Sequence, residues 1–417
     1  MLTPLAKKEA SMSYRLSKIS CFILAMLTFA LTNAAHSLDL GPVQVHGFLS
    51  QGYIYSSGNE YLQGSDKGGT FDFSNAAVNF LYRPTNKLFF AGQLISRNFG
   101  DAYANEKPID IDYLFASANI IGSSTDDFTV NLGKIKTTYG IFNNSRNIPF
   151  THVGIISDQT LYSEYDRHMT LYGTGISLDY KHRADIGDFR VIYQNAKISD
   201  DKRDALSTYP QIDPDSVTEF DGVDYSVVHF MLSPANTNLE FGYSHGRIDA
   251  EKMYILDTIP GVYDRHWSLN AINNIYSARY TTENFTLTAE YMNRVIRNKY
   301  RFIPKNIFPY QENDEIRKSD SAYIQGAYRF TYDLEGFVSY HFATEEINGV
   351  KNYGAPYNQY RRQWVVGADW DIFENTLLKA EFHMIDGTYD MIKEPGINQN
   401  GIDRKWNMFV MQLSYKF

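Results

Sequence analysis

The last thirteen residues of the chain constrain its fold more than any other segment. Between Lys405 and Phe417, apolar or aromatic residues occupy every second position. They are Phe409, Met411, Leu413, Tyr415 and Phe417. The positions between them are mostly polar. Because the side chains of a β-strand alternate between the two faces of a sheet, this pattern predicts a strand with one apolar face and one mostly polar face.

Five other segments repeat the alternation: 189–194, 285–294, 321–332, 363–370 and 375–387. In the last of these, apolar side chains alternate with Lys379, Glu381 and His383. If such strands form a barrel in a membrane, their charged face must point inward, because a charged side chain that faces lipid at mid-depth costs roughly 2–4 kcal/mol. Segments 43–55, 127–136 and 266–280 do not alternate cleanly, and a bulge or a subunit contact would explain this.

The N-terminus has the pattern of a secretory signal. Arg15 and Lys18 precede an apolar run, 19–31, that is too short to span a membrane as a helix. A small-x-small cleavage site at 35–37 predicts a signal peptide over residues 1–37, with Met12 as an alternative start. The single cysteine, Cys21, lies inside this segment, so the mature chain would contain no disulfide.

Composition narrows the class of protein further. Aromatic residues make up 15% of the chain, yet its mean hydropathy is negative, which argues against a helical membrane protein. A barrel reconciles these facts, because half of each strand faces a polar lumen and aromatic residues form belts at the membrane interfaces. The net charge of −9 argues against a nucleic-acid partner.

Two kinds of connection alternate along the chain. Seven are short and rich in turn residues, and they lie at 83–86, 122–127, 182–188, 233–236, 281–284, 331–336 and 371–375. Eight are long and polar, and they lie at 56–69, 99–108, 137–167, 199–221, 248–265, 298–318, 346–359 and 389–404. Together they predict about sixteen antiparallel strands, with both chain ends on the same side of the membrane.

The terminal Phe417, the strand count and the turn pattern resemble those of the Gram-negative outer-membrane porins over nearly the whole mature chain. The resemblance implies an all-β transmembrane up-and-down barrel over residues 38–417, with short periplasmic turns and long external loops. It also implies a homotrimer in outer-membrane lipid and lipopolysaccharide, inserted by the barrel assembly machinery that reads Phe417, with no cofactor. A barrel of about sixteen strands leaves an aqueous channel, so the expected function is passive diffusion of small hydrophilic solutes and ions.

In the porins, the connection equivalent to 137–167 folds into the lumen and forms the constriction. The candidate constriction residues of this loop are Arg146, His152, Asp158, Glu164, Asp166 and Arg167. The candidate pore-wall residues are Arg97, Arg190, Glu240, Arg279, Glu290, Arg294, Arg329, Asp369, Lys379 and Glu381. Opposed charges across a narrow gap would create a transverse field that favours polar solutes. The alternative is that the loop lies on the rim and that the wall charges pair with one another.

Other functions stay open at this point. The many tyrosines could form a track for oligosaccharides in a substrate-selective porin, and anions such as phosphate are another substrate class. Loops of this length could also serve an adhesin. An enzyme is not expected, because neither a Gly-x-Ser-x-Gly nor a His-Glu-x-x-His motif occurs, and no catalytic or metal site is predicted. The acidic loop 199–221 would suit calcium bridging to lipopolysaccharide, although a solvated surface loop explains it more simply.

Overall fold

A computed structural model of the chain describes residues 38–39, 41–62, 64–99, 109–156, 160–164, 167–199, 217–220, 222–259, 263–304, 310–350, 356–389, 391, 398 and 402–417. These residues form one sheet of eighteen strands. Two of the strands, Leu38–Asp39 and Val217–Phe220, are short additions to the sheet. The predicted signal peptide, residues 1–37, lies outside the described residues.

We number the sixteen long strands in chain order. They are β1 Val43–Ser57, β2 Phe73–Tyr82, β3 Leu88–Phe99, β4 Asp110–Gly122, β5 Asp126–Lys136, β6 Tyr172–Ala184, β7 Gly187–Ser199, β8 Val223–Pro234, β9 Leu239–Ile259, β10 Tyr263–Thr281, β11 Phe285–Pro304, β12 Gln311–Arg329, β13 Leu334–Ile347, β14 Tyr360–Phe373, β15 Thr376–Gly387 and β16 Lys405–Lys416. A four-residue helix, Arg167–Thr170, precedes β6, and a 3₁₀ turn, Pro356–Gln359, precedes β14. No helix in the described part of the chain has the length and apolar character needed to cross a membrane.

The sheet closes on itself through its first and last long strands. Strand β16 pairs antiparallel with β1, from Asn407 opposite Ser57 to Lys416 opposite Phe48. Beyond this register, Phe417 and Gly47 exchange two backbone hydrogen bonds of 3.0 Å. All neighbouring long strands are antiparallel, and the predicted sixteen-stranded all-β barrel is therefore confirmed.

The two faces of the wall differ as the alternation predicts. On β15, Lys379, Glu381 and His383 are buried toward the interior, whereas Phe382 and Met384 are 42% and 43% exposed on the outside. The segments that alternate poorly are nevertheless strands, within β1, β5 and β10. The inward positions of these strands include buried apolar residues, because loops pack against them inside the barrel.

The prediction of a long loop is wrong for two of the eight segments. Segments 248–265 and 298–318 are mostly strand, so that β9 to β12 contain 19 to 21 residues each. A membrane-spanning strand needs only about 9–11 residues, and the ladder of β11 and β12 continues past that length to Phe302 opposite Gln311. Polar residues occupy both faces of this extension, as they do in loops. Polarity alone therefore gave the wrong prediction.

Candidate pore and its internal loop

The described residues of the connection between β5 and β6, 137–156, 160–164 and 167–171, lie inside the barrel. The N–H of Gly140 donates to Ser244 Oγ on β9 at 2.9 Å, and the N–H of Ile141 donates to Glu290 Oε1 on β11 at 2.8 Å. Further along the loop, the Asn147 carbonyl accepts a 2.9 Å hydrogen bond from Asn75 on β2. Because β2 lies far around the sheet from β9 and β11, the loop crosses the lumen.

Glu290 is one of the wall residues that the sequence singles out, and it is 2% exposed. Its carboxylate accepts hydrogen bonds from Tyr162 Oη at 2.6 Å, Ser277 Oγ at 2.6 Å and Tyr323 Oη at 2.9 Å, in addition to the loop N–H. A buried carboxylate with four donors is well satisfied. Glu290 thus anchors the loop to β10, β11 and β12.

Strands β14 and β15 provide a second anchor. Lys379 Nζ donates to the carbonyls of His152 and Gly154 and lies 3.0 Å from Asp369. The Glu381 carboxylate accepts from the N–H groups of residues 155 and 156 at 2.7 and 2.8 Å, and it lies 2.8 Å from His383 Nε2. These buried charges therefore hold loop backbone, and removing one partner would leave the other unpaired at a cost of about 3–5 kcal/mol.

An arginine cluster lies where the loop meets β3. Arg97 Nη2 lies 2.6 Å from Glu164 Oε2, and Arg167 Nη1 lies 3.6 Å from the same oxygen. Arg146 Nη1 donates to the Tyr162 carbonyl at 2.7 Å. Burial raises the pKa of Glu164, but the guanidinium groups of Arg97, Arg167 and Arg146 outweigh it and lower that pKa to about 2. Three arginines face one carboxylate here.

The remaining wall candidates pair along the wall. Arg190 binds Asp179 through contacts of 2.6 and 2.9 Å, and Arg329 lies 3.8 Å from Glu335. The other pairs are Arg279 with Glu240 at 3.9 Å and Arg294 with Asn273 at 2.9 Å. Arg279 also lies over the ring of Phe142 in the loop, at 5.2 Å. Asp158 and Asp166 of the loop, and most of the acidic connection 199–221, lie outside the described residues.

The alternation along the strands did not predict how much of the site is apolar. Leu161, Tyr139 and Phe142 of the loop are buried against inward residues of the wall such as Ile275. The first loop does the same, since Tyr61 stacks 6.1 Å from Trp406 on β16. The available signal was the inward face of β16, which carries Trp406, Met408 and Val410 where a water-lined wall would be polar.

Two spaces flank the loop segment 149–152. One cavity of about 50 Å³ lies beside the arginine cluster, and a larger one of about 320 Å³ reaches toward the short turns, where Tyr332 and Lys416 line it. Pro149 and His152 line both spaces. The lumen around this segment is therefore divided by the loop.

No protein-family model matches the sequence, and no curated protein matches it. Several solved structures match the fold of the chain. The OmpT outer-membrane protein of Vibrio cholerae shares 14% identity with a TM-score of 0.52, covering 92% of this chain and 100% of that one. A trimer form of OmpT gives 14% identity and a TM-score of 0.51, covering 90% and 99%.

An anion-selective porin from Comamonas acidovorans gives 12% identity and a TM-score of 0.51, covering 90% of this chain and 99% of that one. At these identities the likeness concerns the fold alone. It agrees with the strand order and closure described above. By structure rather than by sequence, the chain has the fold of the Gram-negative porins, a closed barrel of sixteen antiparallel strands.

Proposed function

We propose that the protein is an outer-membrane channel for the passive diffusion of small hydrophilic solutes and ions. The observation that carries the proposal is a sixteen-stranded barrel whose inner face bears buried charged residues around an internal loop. Barrels of this width leave room for an aqueous channel, and charged groups along such a path favour polar solutes. No residue receives an enzymatic role in this proposal.

The same proposal includes export, membrane insertion and assembly. Residues 1–37 direct secretion, and Phe417 is the residue that the barrel assembly machinery reads. Lipids and lipopolysaccharide then surround the apolar outer face. A homotrimer is supported by the trimer form among the structural neighbours.

A substrate-selective porin is the second candidate. The observation that favours it is the internal loop, which crosses the lumen and contacts strands from β2 to β15. A path divided in this way admits narrower solutes than an open barrel does. The size limit would then be set by residues 149–152, between the two cavities.

The experiment that tests the channel is single-channel recording of purified, refolded protein in a planar bilayer. Ohmic current steps are expected, and steps that close in threes at high voltage would support the trimer. The reversal potential in a salt gradient gives the sign of the selectivity, and the cutoff for neutral polymers separates the open porin from the selective one. Absence of current from protein shown to be folded by its heat-modifiable gel mobility would contradict the proposal.

A further inference from the structure

We propose that the loop after β1 is a plug, clasped to the loop before β16, which narrows the lumen in addition to the internal loop. The plug consists of Asn59, Glu60, Tyr61 and Leu62. Its effect on current rests on the proposed channel function. The inference goes beyond that function, because it adds a second element that closes the lumen and can be released.

The chain turns into the lumen directly after β1. Gly58 has a φ of +86°, a left-handed conformation that favours glycine, and a Cβ there would lie 2.9 Å from Asp403 Oδ2. Leu62 is fully buried and Tyr61 is 8% exposed. Ile156 of the internal loop belongs to the same apolar cluster as these two residues. The wall contributes Ile54, Phe73, Phe99, Ile385, Trp406, Met408 and Val410 to the cluster.

Reciprocal hydrogen bonds clasp the plug to the loop before β16. Asn59 Nδ2 donates to the Asp403 carbonyl, and the Asp403 N–H donates to Asn59 Oδ1, both at 2.7 Å. The N–H of Glu60 donates to Asn398 Oδ1 at 2.8 Å, and Asn398 Nδ2 donates to the Glu60 carbonyl at 2.9 Å. The paired residues are 344 and 338 positions apart in the sequence. The clasp therefore bridges the seam where β16 closes the barrel against β1.

The plug belongs to a hairpin with its own internal hydrogen bonds. Ser65 Oγ accepts from the N–H groups of Tyr61 and Leu62 at 2.9 and 3.1 Å. At the base of the hairpin, Ile54 and Thr70 exchange backbone hydrogen bonds of 3.0 and 2.8 Å. These bonds lie within the hairpin, so they persist when the plug moves out. Such a movement breaks the clasp and exposes Leu62, and local openings of this kind are common in proteins.

The position of the plug explains why its movement would change the lumen. Phe73, Phe99 and Ile156 share the apolar cluster with the plug, and the same three residues line the small cavity of about 50 Å³. Outward movement of the plug would uncover them. The small cavity would then extend toward the end of the barrel that carries the long loops. The strength of the clasp thus sets how often this side of the lumen is open.

The first test measures the exposure of position 62 and does not depend on current. Cys21 is the only cysteine of the chain, so Leu62→Cys in a Cys21→Ser background supplies a single thiol. The full-length refolded protein in detergent micelles is treated with a maleimide, and its labelling rate is measured with and without the pair Asn59→Ala and Asn398→Ala. The pair should raise the rate about tenfold or more, because it removes the hydrogen bonds that oppose opening.

Asn348→Ala is the matched control for the clasp. Asn348 Oδ1 accepts from the N–H of Ile316 at 2.8 Å, and the Asn348 N–H donates to the Ile316 carbonyl at 2.8 Å, but this asparagine is exposed beyond the end of β13. Its variant should leave the labelling rate of Leu62→Cys unchanged. An unchanged rate in the Asn59→Ala and Asn398→Ala pair would overturn the clasp. If the paired variant does not fold, each replacement is measured alone, and no increase in either would overturn it equally.

A second thiol position distinguishes release of the plug from general loosening of the barrel. Leu161 is fully buried in the internal loop, within a different apolar cluster. Leu161→Cys in the same background should label at the same slow rate with and without the pair Asn59→Ala and Asn398→Ala. Equal acceleration at positions 62 and 161 would overturn the plug, because the whole interior would then have loosened.

Bilayer recording tests whether the plug limits current. The pair Asn59→Ala and Asn398→Ala, in the otherwise unchanged protein, should add current steps larger than those of the wild type. Faster labelling at position 62 with unchanged current steps would show a loop that opens without closing the lumen, and this would overturn the plug. If the wild type carries no current at all, the channel function fails, and the labelling rates still decide whether the clasp holds the first loop inside the barrel.

Discussion

Buried charged residues of the barrel wall hold the internal loop in place by binding its backbone. Charged residues inside a porin-like wall are expected to face water. Instead Glu290, Lys379 and Glu381 are almost fully buried and bind the backbone of the internal loop. Alternation along the strands placed these side chains on the correct face. It could not reveal their partners, because the loop comes from a distant part of the sequence.

Glu290→Ala should loosen the internal loop. The substitution leaves the donors of Tyr162, Ser277 and Tyr323 without their shared acceptor, and each unsatisfied buried donor costs about 1–3 kcal/mol. We expect a lower unfolding midpoint and noisier single-channel current. Denaturant unfolding and bilayer recording measure the two effects.

The control for this variant is Glu312→Ala, which removes a half-exposed carboxylate 3.4 Å from Arg301 on β11. Exposed pairs contribute about 0–1 kcal/mol, so this variant should resemble the wild type in both measurements. If Glu290→Ala also resembles the wild type, Glu290 does not hold the loop in solution.

Gly47 is the residue against which the C-terminus closes the barrel. A Cβ at this position would lie 2.4 Å from the Phe417 ring and 2.7 Å from the Ala77 carbonyl oxygen. Gly47→Ala should therefore displace Phe417 and lower the yield of folded barrel, measured as the heat-modifiable fraction after refolding. Gly326→Ala is the control, because its Cβ would meet only ordinary contacts, the nearest at 3.7 Å. Equal yields would show that the Phe417 contact is dispensable.

For the secondary-structure elements, the sequence predicted the number of strands better than it predicted their lengths. Turn residues located the seven short connections, which contain two to five residues in the structure. The full length of β9 to β12 was missed because the ends of β11 and β12 have polar residues on both faces, as loops do. The internal loop was placed by resemblance alone, since its own sequence carries both charges and apolar residues without a period.

The ion cluster that holds the loop to β3 should make the loop sensitive to acid. The folded pKa of Glu164, about 2, is lower than its ordinary value of 4.5. The ionised carboxylate therefore contributes stability that is fully present above about pH 4.5 and is lost as the pH falls toward 2. We expect current fluctuations to increase over this window.

Single-channel recording across the acid range measures this sensitivity, with Glu164→Gln as the comparison. The variant lacks the titrating group, so its fluctuations should already be high at neutral pH and should change less on acidification. An identical acid response in the wild type and the variant would assign the transition to other carboxylates.

For the whole molecule, the question is whether the internal loop limits flow through the barrel. Ile141 and Tyr162 meet at the Glu290 carboxylate, and the N–H of Ile141 lies 3.0 Å from Tyr162 Oη. The chain therefore leaves this point, reaches β2 and β15, and returns to it. Replacing residues 142–161 with a short Gly-Ser linker should remove the crossing while the sixteen strands stay paired.

Conductance of this variant should rise several-fold, because the barrel itself is wide enough for an aqueous channel.

The matched control replaces 256–264, the tip of the β9–β10 hairpin, with Asn-Gly, since Ile255 and Arg265 are direct cross-strand neighbours. That change shortens the barrel wall and leaves the sequence of the internal loop unaltered, so its conductance should stay near that of the wild type. If removing the loop leaves the conductance unchanged while the barrel folds, the constriction lies elsewhere. The two cavities around 149–152 would then not be on the conducting path.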